Sequence, residues 1–200
     1  MLDVIGVSFD YQDEPILNEI TFHVPAGGLL HLKGSNGAGK TTLLKLVSGL
    51  YQPSLGQIKF KNKLIMEDIA SFQRQLCFVG HKTGINPFLT LKENCFFDLH
   101  FKAKDFSLQE LVSIFHLEYQ LDTPCGLLSA GQRRQAGLLR LWMSNAPLWL
   151  LDEPLVALDE AAVSLVMDKI RNHREQGGVV LLTSHQSLPL HPAEYEEYQL

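Results

Sequence analysis

Apolar and polar positions change period several times along the chain, and each change marks an element. Val4-Ile-Gly-Val-Ser-Phe9 and Ile20-Thr-Phe-His-Val24 are short strand-like pieces separated by the polar stretch Gln12 to Pro15. Pro53-Ser-Leu-Gly56 reads as a turn, and Gln57-Ile-Lys-Phe-Lys61 with Leu64-Ile65 as a hairpin of the same small antiparallel sheet. Gly28-Leu-Leu-His-Leu-Lys33 and Leu76-Cys-Phe-Val79 are different: short apolar runs bounded by glycine, which is the pattern of buried strands. Thr42-Leu-Leu-Lys-Leu-Val-Ser48, in contrast, repeats apolar side chains at helical spacing.

From Phe88 to about Leu127 the pattern turns helical, with Leu91, Cys95, Phe96 and Leu99 on one face and Leu108, Leu111, Val112 and Phe115 on another. This reads as a helical insertion between core strands. A helix from about Gly131 to Ser144, the strand Leu148-Trp-Leu-Leu151, a helix from about Glu160 to Gln176 and the strand Val179-Val-Leu-Leu-Thr183 then restore α/β order. Gly177-Gly178 supplies the stop for the second helix.

Between the Gly28–Lys33 strand and the helix stands Gly34-Ser35-Asn36-Gly37-Ala38-Gly39-Lys40-Thr41, followed by Thr42. Its glycines let successive backbone N–H groups turn toward one anion, and the helix beginning near Gly39 adds its positive end. Lys40 is placed to reach the outer phosphates of ATP or GTP, and Thr41 to ligate Mg²⁺. Alone, this loop fits a kinase, a GTPase, a helicase or a transporter motor.

Composition removes several classes. With 46% hydrophobic and 20% charged residues in 200, the chain carries enough apolar surface for one ordinary core. Its 17 Lys and Arg are scattered and the formal net charge is −5, so nucleic acid is not an expected partner. No apolar run approaches the ~20 residues of a membrane span, and Met1-Leu-Asp-Val does not resemble a secretory leader. Cys77, Cys95 and Cys125 make neither a disulfide framework nor a zinc pattern, and Cys77 with His81 lacks a second ligand pair. Reduced, buried cysteines are expected.

Asp152-Glu153-Pro154 follows an apolar strand, where a parallel sheet presents its ligands. Asp152, nearer the strand, is the better Mg²⁺ ligand. Glu153 is the better general base for in-line attack on a γ-phosphorus.

Leu128-Ser129-Ala130-Gly131-Gln132 resembles the signature of ATP-binding cassette (ABC) ATPases, usually Leu-Ser-Gly-Gly-Gln, and lies upstream of Asp152 as that family requires. Ser129 offers a hydroxyl and Gly131 a bare N–H at a helix start; Ala130 is tolerable there if its φ is negative. Tyr11 resembles the adenine-stacking aromatic, with Phe9 a neighbouring candidate, Ala157-Leu-Asp159 the loop at the dimer interface, and His185 the switch histidine on the γ-phosphate. His81 stands where the family usually has a glutamine touching Mg²⁺ and water. Gly80-His-Lys-Thr-Gly84, Ser129 to Arg134, Leu141-Trp142, Leu148-Trp149 and His185-Gln186 are together similar to the ATPase subunits of haem exporters in bacterial cytochrome c maturation.

The resemblance implies an α/β fold, a P-loop NTPase core of ABC type with an N-terminal antiparallel β subdomain and an α-helical signature subdomain. One ATP-binding domain would span 1–200, with nucleotide and β lobes at about 1–80 and 145–200 and a helical lobe at about 81–144. It implies ATP and Mg²⁺ as ligands and a head-to-tail dimer with a second copy, in which Lys40, Thr41, Asp152, Glu153 and His185 of one chain face Ser129, Gly131 and Gln132 of the other. It further implies an integral membrane subunit docked near His81 to Phe101, and a peripheral position on the cytoplasmic face of the inner membrane. No direct haem site is expected. The competing expectations are an ATPase for another transported substrate, a soluble cassette ATPase, and a nucleotide sensor, which Glu153 disfavours.

Overall fold

The computed structural model describes residues 1–12, 14–98 and 107–200, which form two compact units. The first comprises Met1–Phe78, Ala146–Glu153 and Asn172–Leu200; the second comprises Val79–Asn145 and Pro154–Arg171.

The first unit holds two sheets. Strands β1 (Leu2–Tyr11), β2 (Glu14–Val24), β4 (Leu55–Phe60) and β5 (Lys63–Leu64) form an antiparallel sheet in the order β2-β1-β4-β5. β1 and β2 run longer than the apolar pattern indicates. Alternation explains this: Leu2, Val4 and Val7 face the core while Asp3 and Asp10 face outward, and register shifts at Val4/Val7 and Val7/Phe9 absorb the irregular positions.

Strands β3 (Leu29–Lys33), β6 (Leu76–Val79), β7 (Leu148–Asp152), β8 (Val179–Thr183) and β9 (Glu196–Gln199) form the second sheet, ordered β6-β7-β8-β3-β9. β8 runs parallel to both β7 and β3, and β3 parallel to β9. All five residues of β7 and of β8 are buried, the near-continuous apolar character of strands covered on both faces. Helix α1 (Lys40–Val47) covers β7 and β8 and buries Leu43, Leu44, Leu46 and Val47. β9, polar in three of four residues, carried no sequence signal; it is an edge strand recruited by β3. Helix α2 (Ile69–Gln73) begins at Asp68, whose carboxylate accepts from the amide of Ser71.

Helix α7 (Glu160–Glu175) starts in the second unit and ends in the first. It stops at the glycine pair: Gly177, at φ 84°, donates to the Arg174 carbonyl and Gly178 to that of His173. The Trp149 ring, fully buried on β7, stacks on His173 at 3.8 Å and 4°, tying this helix end to the sheet.

In the second unit, α3 (Leu91–Phe97), α4 (Leu108–Ser113) and α5 (Ala130–Leu138) each open with a reciprocal cap, Thr90 with Glu93, Ser107 with Glu110 and Ser129 with Gln132. Leu91 and Cys95, four residues apart, are buried; Phe96, one position further round the helix, is half exposed, and Leu99 lies outside the described residues. The helix expected over 131–144 is two, α5 and α6 (Arg140–Met143), joined at Leu139. Leu139 keeps helical dihedrals, and the break is a tightening: Trp142 donates to the Leu139 carbonyl three residues back. Arg140 pairs with Asp98 at 2.7 Å, and Phe115 meets Trp142 edge to face.

All three cysteines are free and buried, and burial pushes the Cys95 thiol up to about 12, with Asp98 adding to the rise. The folded chain should therefore react far more slowly with a thiol reagent at about pH 8 than the unfolded chain. Thiol titration with and without guanidinium checks this; three fast thiols in the folded state would contradict it.

Candidate nucleotide site

The glycines of the loop after β3 each have a backbone reason. Gly34, Gly37 and Gly39 have φ of 155°, 84° and 92°, values that L side chains rarely adopt. At Gly39 the constraint is double, because a Cβ would stand 2.7 Å from the Leu17 side chain of β2. Strand β2 thus presses on the loop exactly where α1 starts. That helix has no side-chain cap and no acid in its first turn, so its leading N–H groups and positive end are left to an anion. Lys40 is buried, and its ammonium donates to the carbonyls of Gly34 at 2.8 Å and Ser35 at 3.0 Å, across the loop's mouth.

A chain of hydrogen bonds joins the loop to the strand ends. The Thr41 hydroxyl donates to Asp152 Oδ2 at 2.8 Å, and the Thr183 hydroxyl donates to Asp152 Oδ1 at 2.8 Å. The Glu153 amide in turn donates to the Thr183 hydroxyl at 2.9 Å. Both carboxylates are buried, Asp152 at the tip of β7 and Glu153 just beyond it, where φ is 52°. His185, two residues past β8, brings Nε2 to 3.4 Å from Glu153 Oε1, and its amide donates to Oε2 at 3.4 Å. Thr41, Asp152, Glu153 and His185, expected together, are brought together; Thr183 is an addition whose only sequence signal is a hydroxyl at the end of an apolar strand.

Tyr11 ends β1 with 55% of its surface exposed. Phe9, the neighbouring candidate, is stacked on Tyr51 at 5.5 Å. Ser35, Asn36 and Gly37 are exposed on the loop, Ala38 half-buried, and Thr42 lies in the first turn of α1.

The remaining expected residues belong to the second unit. Ser129 caps α5: its hydroxyl accepts from the Gln132 amide at 3.1 Å, and its own amide donates to Gln132 Oε1 at 2.9 Å. Ala130 is the first helical residue and lacks the positive φ that would demand glycine, so the departure from the usual signature costs nothing in backbone. Gly131 is required for another reason: a Cβ there would lie 2.9 Å from the Ala157 carbonyl, which is turned inward at a φ of 63°. His81 exposes its imidazole. Its carbonyl, with that of Gly80, lies on Arg134, whose Nη1 donates to Gly80 at 2.9 Å and reaches His81 at 3.5 Å. Arg134 Nε donates to the Pro154 carbonyl at 3.2 Å. This buried guanidinium joins α5 to the carbonyls of Gly80, His81 and Pro154, and sequence reading missed its role because one of two adjacent arginines reads as a solvated face.

A phosphate loop between strand and helix, with an Asp-Glu pair at the tip of β7 in the same sheet, is the core of a P-loop ATPase. The family model described as ABC transporter matches residues 17–156, and the chain belongs to that family. It is therefore an ATP-binding, ATP-hydrolysing domain of ABC type. Over all 200 residues it is 62% identical to the cytochrome c biogenesis ATP-binding export protein CcmA of Legionella pneumophila (strain Paris), with both chains fully covered. It is 37% identical to the protein of the same name from Aliivibrio fischeri, covering 100% of this chain and 99% of that one. Among solved structures it resembles the ATP-binding subunit of an ABC transporter, with a TM-score of 0.81 and 27% identity over 92% of this chain and 79% of that one. It also shares the fold of a dimeric ATP-binding cassette in a post-hydrolysis state with ADP and Pi, at a TM-score of 0.79, 23% identity and coverage of 93% and 88%.

Replacing Arg134 with Met removes the donors from the Gly80 and Pro154 carbonyls. Unfolding in denaturant should show a loss of about 1–3 kcal/mol, the cost of buried acceptors left unmet; an unchanged midpoint would rule this out.

Proposed function

We propose that this chain is the ATP-hydrolysing subunit of the haem exporter of bacterial cytochrome c maturation, coupling hydrolysis to delivery of haem or its chaperone. The observation that carries this reading is the 62% identity, over the full length of both chains, to a cytochrome c biogenesis export protein. The geometry supports the chemistry. Lys40 and the N–H groups at the start of α1 hold the β- and γ-phosphates, and Tyr11, the exposed one of two candidate aromatics, stacks on adenine.

The Thr41 hydroxyl and the Asp152 carboxylate, 2.8 Å apart, are a hard-oxygen donor pair that suits Mg²⁺. Bound there, the ion neutralises charge on the phosphate oxygens. Glu153 takes a proton from the attacking water as its oxygen closes on the γ-phosphorus in line with the departing ADP oxygen. His185, beside Glu153, donates to the γ-phosphate. Buried placement and the His185 contact keep the Glu153 carboxylate oriented for that water.

Ser129, Gly131 and Gln132 of a second copy complete the site from across a head-to-tail dimer, with His81 in the glutamine's place beside Mg²⁺ and the water. The nucleotide and β lobes lie at about 1–80 and 145–200, and the helical lobe at about 81–144. That lobe docks on an integral membrane subunit near His81 to Phe101, a stretch whose residues 99–101 lie outside the described residues and whose described part exposes Phe88 (89%) and Phe97 (75%). Through that partner the chain sits peripherally at the cytoplasmic face of the inner membrane; among the described residues no helix is long and apolar enough to cross a membrane.

Glu153→Gln should bind ATP, trap the dimer and lower turnover by about 10²–10⁴-fold, the range for loss of a general base. Lys40→Ala should weaken binding or turnover. Nucleotide binding and phosphate release measured on the same preparations separate the two, and full hydrolysis by Glu153→Gln would refute the assigned base. Pull-down from membranes should recover one integral subunit of the haem exporter; recovery of a subunit belonging to a solute importer would overturn the cargo assignment.

A further inference from the structure

We propose that His31 is a positioning residue for ATP hydrolysis: its imidazole holds the Ser184–His185 peptide so that the His185 amide stays on the Glu153 carboxylate. The proposal rests on the reading of Glu153 as the base.

His31 interrupts the leucines of β3, Leu29-Leu30-His31-Leu32, and has no exposed surface. An imidazole in that position is costly unless it is bonded. Its bond is specific: Nε2 lies 3.1 Å from the Ser184 carbonyl. A carbonyl only accepts, so Nε2 carries the proton and Nδ1 the lone pair. Nδ1 makes no hydrogen bond among the described residues; the Glu197 carboxylate, held by Lys33 at 2.7 Å, is 3.8 Å away. Burial lowers the His31 pKa, with Lys33 acting in the same direction and the bond to the Ser184 carbonyl, Glu197 and Glu153 against it. Tyr195 packs on the ring at 5.9 Å.

The peptide that His31 grips is the one that touches the base. Its oxygen is Ser184 O, and its nitrogen is the His185 amide that donates to Glu153 Oε2. The β3–β8 register ends at Leu32 and Thr183, so this peptide lies just past the last strand pair. His31 takes over there. The result is one line of donors and acceptors, imidazole N–H to carbonyl, then amide N–H to carboxylate, in which each bond polarises the next by roughly 10–30%. His185 Nε2 meets the other carboxylate oxygen, so both orientation and switch histidine depend on this peptide plane. The phosphate loop does not.

The test uses the full chain with Mg²⁺ and ATP. His31→Leu keeps volume and removes the donor; kcat should fall about tenfold, the rate equivalent of one modest hydrogen bond, with KM for ATP within about twofold. His31→Gln, whose amide reaches as Nε2 does, should keep kcat within about threefold of the native chain. Native kcat in His31→Leu, an equal loss in His31→Gln, or a KM rising in step with the loss would each overturn the proposal. A second measurement is independent of those variants: ¹⁵N-histidine NMR should show His31 as the Nε2–H tautomer, with resonances that move on Glu153→Gln. The other tautomer, or unmoved resonances, would overturn it. Full hydrolysis by Glu153→Gln removes the base assignment itself, whereas an inactive Glu153→Gln beside a fully active His31→Leu removes only the role of His31.

Discussion

The nucleotide site depends on one buried carboxylate holding two hydroxyls. Asp152 accepts from Thr41 on one oxygen and from Thr183 on the other, and so ties the start of α1 to the tips of β7 and β8. Thr183 is then free to accept from the Glu153 amide, which sets the backbone of the next carboxylate. A buried charge bonded on both oxygens is held in one rotamer, and each partner lies at the end of a different element. The geometry of the site is in this sense a by-product of how one helix start and two strand ends are stitched together.

Most of this was legible in advance, and the reasons are particular. The loop from Gly34 to Thr41 and the Asp-Glu pair announce themselves because their chemistry demands fixed residue types at fixed spacing, and the apolar runs of β7 and β8 have no other reading. Residues 148–152 and 179–183 fold as strands with every residue buried, as a sheet covered on both faces requires. Three features were not legible. β9 is polar and short, and owes its place to an open edge of β3 rather than to any pattern of its own. Arg134 and His31 are polar residues whose partners are main-chain carbonyls distant in sequence, and main-chain acceptors have no sequence signature. His31 did leave a trace, a ring in a run of leucines.

The second unit shows a different economy of design. Three of its helices are short, and each starts with a hydroxyl and a Glu or Gln three residues later, local closures that need no tertiary help. Gly131 belongs to another logic, that of close approach, since the Ala157 carbonyl occupies the space of its missing side chain. Ser129 is thus a cap by local rules, while Gly131, two residues on, is a glycine by packing. Ala130, between them, is under neither constraint.

Glu153 sits with a left-handed backbone, a conformation that costs a non-glycine residue on the order of 1 kcal/mol. Glycine there would relax the chain and remove the carboxylate in the same step. On the proposed role of Glu153 as the base, the position therefore trades backbone stability for the carboxylate that turnover needs.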